Sequence, residues 1–121
     1  MKARLTIGLL LSGASLLLPR RGHAHAFLDH ADPRVGSTTR TAPAAVTLTF
    51  TEGVEPSFSK IEVLDGDGRA VAVGPLEHPD DASLRVSIPA LAPGTYRVKW
   101  RVVSVDTHET EGSFTFSLQA P

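Results

Sequence analysis

The sequence contains no cysteine, and its single methionine is Met1. Disulfide staples are therefore excluded, as are thiolate sites for zinc or Cu(I). Tryptophan and tyrosine occur once each, which leaves little for a broad aromatic binding face. No apolar run approaches the ~20 residues that a membrane-spanning helix needs. The longest, Leu5 to Leu18, is interrupted by Thr6, Gly8, Ser12, Gly13 and Ser15. After residue 25 there is no helical periodicity of useful length. Neither a G-x-S-x-G elbow nor a phosphate-binding G-x-x-x-x-G-K occurs there, so hydrolase and nucleotide-binding readings have no positive support.

What is present begins with a secretory pattern. Met1, Lys2 and Arg4 precede the apolar run, and small residues follow at Gly22, Ala24 and Ala26, the layout of a cleavable signal peptide. The favoured cut is after Ala24, making residues 1–24 a leader and 25–121 a single domain that starts at His25. A cut after Ala26 is the alternative and would start the chain at Phe27. Arg20 and Arg21 just before the cut are unusual for such a leader. Loss of residues 1–24 removes four of the 12 basic residues and none of the 13 acidic ones, leaving 8 and 13 and a formal charge of −5. Nucleic acid and anionic lipid are poor partners for such a domain, and nothing in it supports stable membrane insertion after processing.

From residue 25 onward, short alternating runs recur between Gly, Pro and Asp. This pattern predicts strands at Ala26 to His30, Val46 to Glu52, Ser59 to Leu64, Ala70 to Val73, Ser83 to Ile88, Thr95 to Val103 and Ser113 to Leu118. Tyr96, Val98, Trp100 and Val102 share one face of the longest run, and Arg97, Lys99 and Arg101 share the other. Asp65-Gly66-Asp67-Gly68 reads as a hairpin turn; as a calcium loop it fails, because Leu76 stands where the bidentate Glu should be. Thr38 to Ala45 reads as a surface loop. Seven short strands in one small domain predict an all-β fold, an immunoglobulin-like Greek-key sandwich or barrel.

Four histidines follow the leader. His78, beside Pro79 and two aspartates, reads as a solvated loop residue, and His30 as a strand-end or edge residue. Asp106 and His108 are two apart in Ser104-Val105-Asp106-Thr107-His108. If that segment is extended, both side chains leave one face; the competing reading is a turn bonded to its own backbone. A mature terminus at His25 would offer its α-amino nitrogen and imidazole Nδ1 to one ion. With His108 and Asp106 this makes a nitrogen-rich N/O donor set, which favours Cu(II).

Several further segments stand out beside His25: Asp32-Pro33, Leu48-Thr49-Phe50-Thr51-Glu52-Gly53-Val54 and Pro93-Gly94-Thr95-Tyr96. The most specific is Trp100-Arg101-Val102-Val103-Ser104-Val105-Asp106-Thr107-His108, followed by Gly112 and Phe114. On these residues the chain resembles the CopC/PcoC family of periplasmic copper-binding, copper-resistance proteins. The resemblance implies a Greek-key β-fold with Cu(II) held by His25, Asp106 and His108, and with Glu52 near the metal as a ligand or as a group behind one. Founding members also carry a methionine-rich Cu(I) site, which this chain cannot build, so a Cu(II)-only version is implied.

The function so implied is that of a periplasmic, monomeric copper carrier or buffer in copper resistance or homeostasis, without turnover. It would hand copper to an inner-membrane transporter resembling CopD. A copper-dependent oxidative enzyme built on a histidine brace is the alternative from another class, and a structural sandwich without a metal role is the third.

Overall fold

The computed structural model describes residues 25–121; the expected leader, residues 1–24, lies outside the described residues. Eight strands follow in order: β1 (Leu28–Asp32), β2 (Thr38–Thr39), β3 (Ala45–Phe50), β4 (Lys60–Leu64), β5 (Glu77–Asp80), β6 (Ser83–Ser87), β7 (Gly94–Val103) and β8 (Glu109–Leu118). One 3-10 turn, Pro56–Phe58, interrupts them before β4. They form two four-stranded sheets, ordered β1-β3-β6-β5 and β2-β8-β7-β4. The expected all-β sandwich is what forms. Among the described residues no helix is long and apolar enough to cross a membrane.

Strand alternation determines the packing. Val46, Leu48 and Phe50 of β3 and Leu84 and Val86 of β6 are buried on the inner face of one sheet. Ile61 and Val63 of β4, Tyr96, Val98 and Val102 of β7, and Phe114 and Phe116 of β8 meet them from the other. Intervening residues face water, so removal of apolar surface on one side of each sheet drives the two layers together. The Tyr96 hydroxyl donates to the Ala92 carbonyl at 2.5 Å, a tyrosine corner of the kind that pins the start of a long strand in immunoglobulin-type sandwiches.

Trp100 is only half-buried, with its ring 6.3 Å from Phe50 and 6.2 Å from Phe114 between centroids. It stands opposite Gly112 in the β7–β8 register. A Cβ at Gly112 would come within 2.5 Å of the indole Cζ2, so the ring lies where only glycine leaves space.

The structure differs from the sequence-based strand assignment at identifiable places. Ala70 to Val73 is not a strand; it touches β4 through a Leu64–Ala70 bridge and a bond from the Val71 N–H to the Val63 carbonyl. Its valines pack against the core without forming a ladder. β5 was missed because all four of its residues are exposed and Pro79 lies inside it, leaving no alternation to read. As a result His78 is in an edge strand instead of a loop, exposed, with Nε2 at 3.2 Å from the Asp81 carbonyl oxygen. β2, a two-residue parallel pairing with β8, falls in the stretch read as a loop. β8 begins at Glu109, ahead of its first apolar residue.

β1 carries a bulge at Asp29: Leu28 faces Phe50 while His30 faces Thr49. The extra residue reverses the side-chain phase. Ala26 is buried on one parity, Ala31 and Pro33 on the other. His30 is thereby turned outward, with Nδ1 at 2.8 Å from Asp29 Oδ2, which agrees with the edge position expected for it.

Candidate metal centre

One end of the sandwich is built from the start of the described chain, the segment after β3, and the β7–β8 turn. Three hydrogen bonds fix the first of these. The Phe27 N–H donates to Thr51 Oγ1 at 3.0 Å, the Thr51 N–H donates to the Phe27 carbonyl at 2.8 Å, and Thr110 Oγ1 donates to the Ala26 carbonyl at 2.7 Å. Ala26 is 0% exposed. The backbone directly after His25 is thus held from both sheets, by a residue just past β3 and by one in β8.

The β7–β8 turn settles the two readings left open for Ser104 to His108: it is a turn, not an extended strand. The Ser104 N–H donates to the His108 carbonyl at 2.9 Å, and the Thr107 N–H donates to the Ser104 carbonyl at 2.8 Å. Thr107 takes a left-handed backbone with φ of 69°, as in a three-residue hairpin loop that closes with a left-handed residue. Ser104 Oγ accepts the His108 N–H at 3.2 Å. The Val105 N–H donates to the Gly53 carbonyl at 3.0 Å, and Val54 bridges Ser104, which locks the turn onto the segment after β3.

These constraints bring the His25 and His108 rings together, with centroids 4.9 Å apart and planes at 46°. The Phe27 ring also stacks on His25, centroids 5.8 Å apart and planes at 21°. Asp106 is exposed in the turn that carries His108, two residues before it. Glu52 is half-buried between Thr51, which is bonded to Phe27, and Gly53, which is bonded to Val105. All four expected site residues therefore belong to segments that meet at one pole, but only His25 and His108 have rings in contact. Among the described residues no group of three or more His, Asp or Glu side chains is already gathered around one point.

Two neighbouring imidazoles flanked by carboxylate-bearing segments suit a borderline divalent ion; no soft sulfur donor exists in the chain after Met1. Sequence reasoning did not find Thr51, Thr110 and Ser104, the residues that fix this end. Their hydroxyls bond to backbone across the fold, and no spacing rule encodes that.

The CopC domain family model matches residues 28–119. Protein YobA of Escherichia coli strain K12 is 38% identical over 99 residues, covering 79% of this chain and 80% of its own. Copper resistance protein C of Xanthomonas campestris pv. juglandis is 37% identical over 114 residues, covering 88% of this chain and 89% of its own. The crystal structure of CopC from Methylosinus trichosporium OB3b is similar with a TM-score of 0.73 and 36% identity, over 79% of this chain and 95% of that one. A family model matched across nearly all the described residues, and the same sandwich in a CopC structure, establish that this chain belongs to the CopC family.

Proposed function

We propose that this protein is a periplasmic copper carrier or buffer serving copper resistance, which takes up one Cu(II) ion at the pole where His25 meets His108. The observation that carries this reading is the 4.9 Å approach of two imidazoles that stand 83 residues apart in the sequence. Export with cleavage after Ala24 frees the His25 α-amino nitrogen, so that this nitrogen and the Nδ1 of His25 chelate the metal while His108 supplies a third nitrogen. Asp106, exposed in the turn that carries His108, adds a carboxylate oxygen. Glu52, whose neighbours Thr51 and Gly53 bond to Phe27 and Val105, is a further oxygen donor or bonds to one of the ligands.

Donors of this kind hold Cu(II) in preference to Cu(I), and Cu(II) heads the affinity order of divalent first-row ions. The protein binds without turnover, as a monomer, and passes its copper to an inner-membrane transporter. Tyr96 is buried and Trp100 packs on Phe50 and Phe114. Neither contributes to a flat aromatic substrate face, which counts against the oxidative-enzyme alternative.

Amino-terminal sequencing of the exported protein, followed by Cu(II) titration, tests the reading. The expected result is a chain starting at His25 with one tight site that is abolished by either His25→Ala or His108→Ala. Ligand nitrogens must shed protons to bind metal, so the site should empty as the pH falls from about 8 to 5. A different first residue, or an undiminished site in either variant, contradicts it.

A further inference from the structure

Phe27 is 57% exposed, and an exposed aromatic side chain on a small domain calls for a reason. Its backbone is held on both sides of the Cα: its N–H donates to Thr51 Oγ1 and its carbonyl accepts from the Thr51 N–H. Its ring therefore stands on a fixed base. It lies nearly parallel to the His25 imidazole, at 21° and 5.8 Å between centroids, and the same imidazole meets the His108 ring at 4.9 Å and 46°. Residue 25 precedes the first strand and has no ladder of its own to orient it. The ring contacts of His25 are the stacked one with Phe27 and the tilted one with His108.

We propose that Phe27 is a positioning residue for the metal site, a platform whose ring holds the His25 imidazole in the rotamer that faces His108. This rests on the copper reading given above and adds to it a named cause of site preorganisation. A ligand already held in its bound conformation loses less freedom when the ion arrives. An aromatic pair of this kind contributes about 0.5 to 1.5 kcal/mol, which corresponds to roughly two- to tenfold in affinity.

The test uses the protein beginning at His25, with Phe27→Ala and Phe27→Tyr compared to the wild type. In the metal-free state, the His25 ring-proton NMR signals should shift in Phe27→Ala, because the ring current of the stacked neighbour is lost, and should return toward wild type in Phe27→Tyr. With copper, Phe27→Ala should keep one site per chain, lose about two- to tenfold in affinity in a chelator competition, and give a broadened Cu(II) EPR spectrum. Phe27→Tyr should restore both the affinity and the sharp spectrum. Thermal unfolding of the metal-free proteins should coincide, since the side chain is largely in water.

Unmoved His25 signals in Phe27→Ala overturn the proposal whatever the metal does. Wild-type affinity and spectrum in Phe27→Ala overturn it equally, as does a loss that Phe27→Tyr does not repair. A wild type that stacks as described but takes up no copper overturns the function proposed above, and with it the role of Phe27 at a metal site.

Discussion

Thr107 holds in the β7–β8 turn the same station that Gly68 holds in the turn after β4. In the first, the Ser104 N–H donates to the His108 carbonyl and the Thr107 N–H to the Ser104 carbonyl; in the second, the Asp65 N–H donates to the Arg69 carbonyl and the Gly68 N–H to the Asp65 carbonyl. Both residues are left-handed, at φ of 69° and 80°. The leading side chain also bonds back in each: Ser104 Oγ accepts from the His108 N–H, and Asp65 Oδ1 from the Arg69 N–H. One architecture is thus built twice, once with glycine and once with a β-branched residue for which this conformation costs about 1–2 kcal/mol.

Reciprocal substitutions read that difference. Gly68→Thr should lower stability by about 1–2 kcal/mol. Thr107→Gly exchanges strain for chain entropy of about 0.5–1 kcal/mol, so it should leave metal-free stability unchanged or raise it by up to about 1 kcal/mol. Denaturant midpoints of the two variants decide; equal losses in both would show that Thr107 is not strained.

Gly112→Ala should destabilise the fold by about 1–3 kcal/mol, as overpacking does. The added methyl would meet the rigid indole of Trp100 at 2.5 Å, and the ring cannot swing away without losing Phe50 and Phe114. Tryptophan fluorescence should report its displacement. Unchanged fluorescence together with unchanged stability would contradict the close packing.

Thr110→Val removes the hydroxyl that donates to the Ala26 carbonyl. The loss of this bond at a fully buried residue should cost about 1–3 kcal/mol and loosen the segment carrying His25, with weaker copper binding as the second readout. Thr110→Ser should keep most of both. If valine is tolerated without change, Thr110 is not the clamp on this segment.

Asp65 gives a pH signature away from the metal pole. The hydrogen bond from the Arg69 N–H is the largest cause holding its carboxyl below the usual carboxylate range; desolvation opposes it, and the Asp67 N–H bond and the Arg69 charge add to it. A carboxyl lowered on folding stabilises the native state above its unfolded pKa of about 3.9, and that contribution disappears as pH falls through and below this value. Asp65→Asn should therefore be less stable than wild type at pH 7, and the gap should close toward pH 3. A gap that persists into acid would assign the effect to geometry instead of charge.

The sandwich was legible because the apolar residues of β3, β6, β7 and β8 alternate, and that parity matches the buried face apart from the half-buried Trp100 and the buried Ser83. The parts that were not legible share a physical trait. β5 pairs through backbone while exposing every side chain, and the Asp29 bulge shifts phase with no Gly or Pro to announce it. At the metal pole, the family motif pointed to His25, Asp106 and His108 by residue type and spacing. The turn that presents His108 was one of two readings, since Asp and Thr suit a bonded turn as well as a strand end. Phe27, Thr51 and Thr110 were invisible, because each acts through a contact between segments that only folding brings together.

The central claim is that the backbone nitrogen of His25, once freed, is a copper donor beside His108. Competition titration of Cu(II) into the protein beginning at His25, and into the same protein with one glycine placed ahead of His25, tests it most directly. The expected result is one site below about 1 μM in the first and one at least about tenfold weaker in the second. Equal affinity in the two, or a site weaker than micromolar in the first, would contradict it.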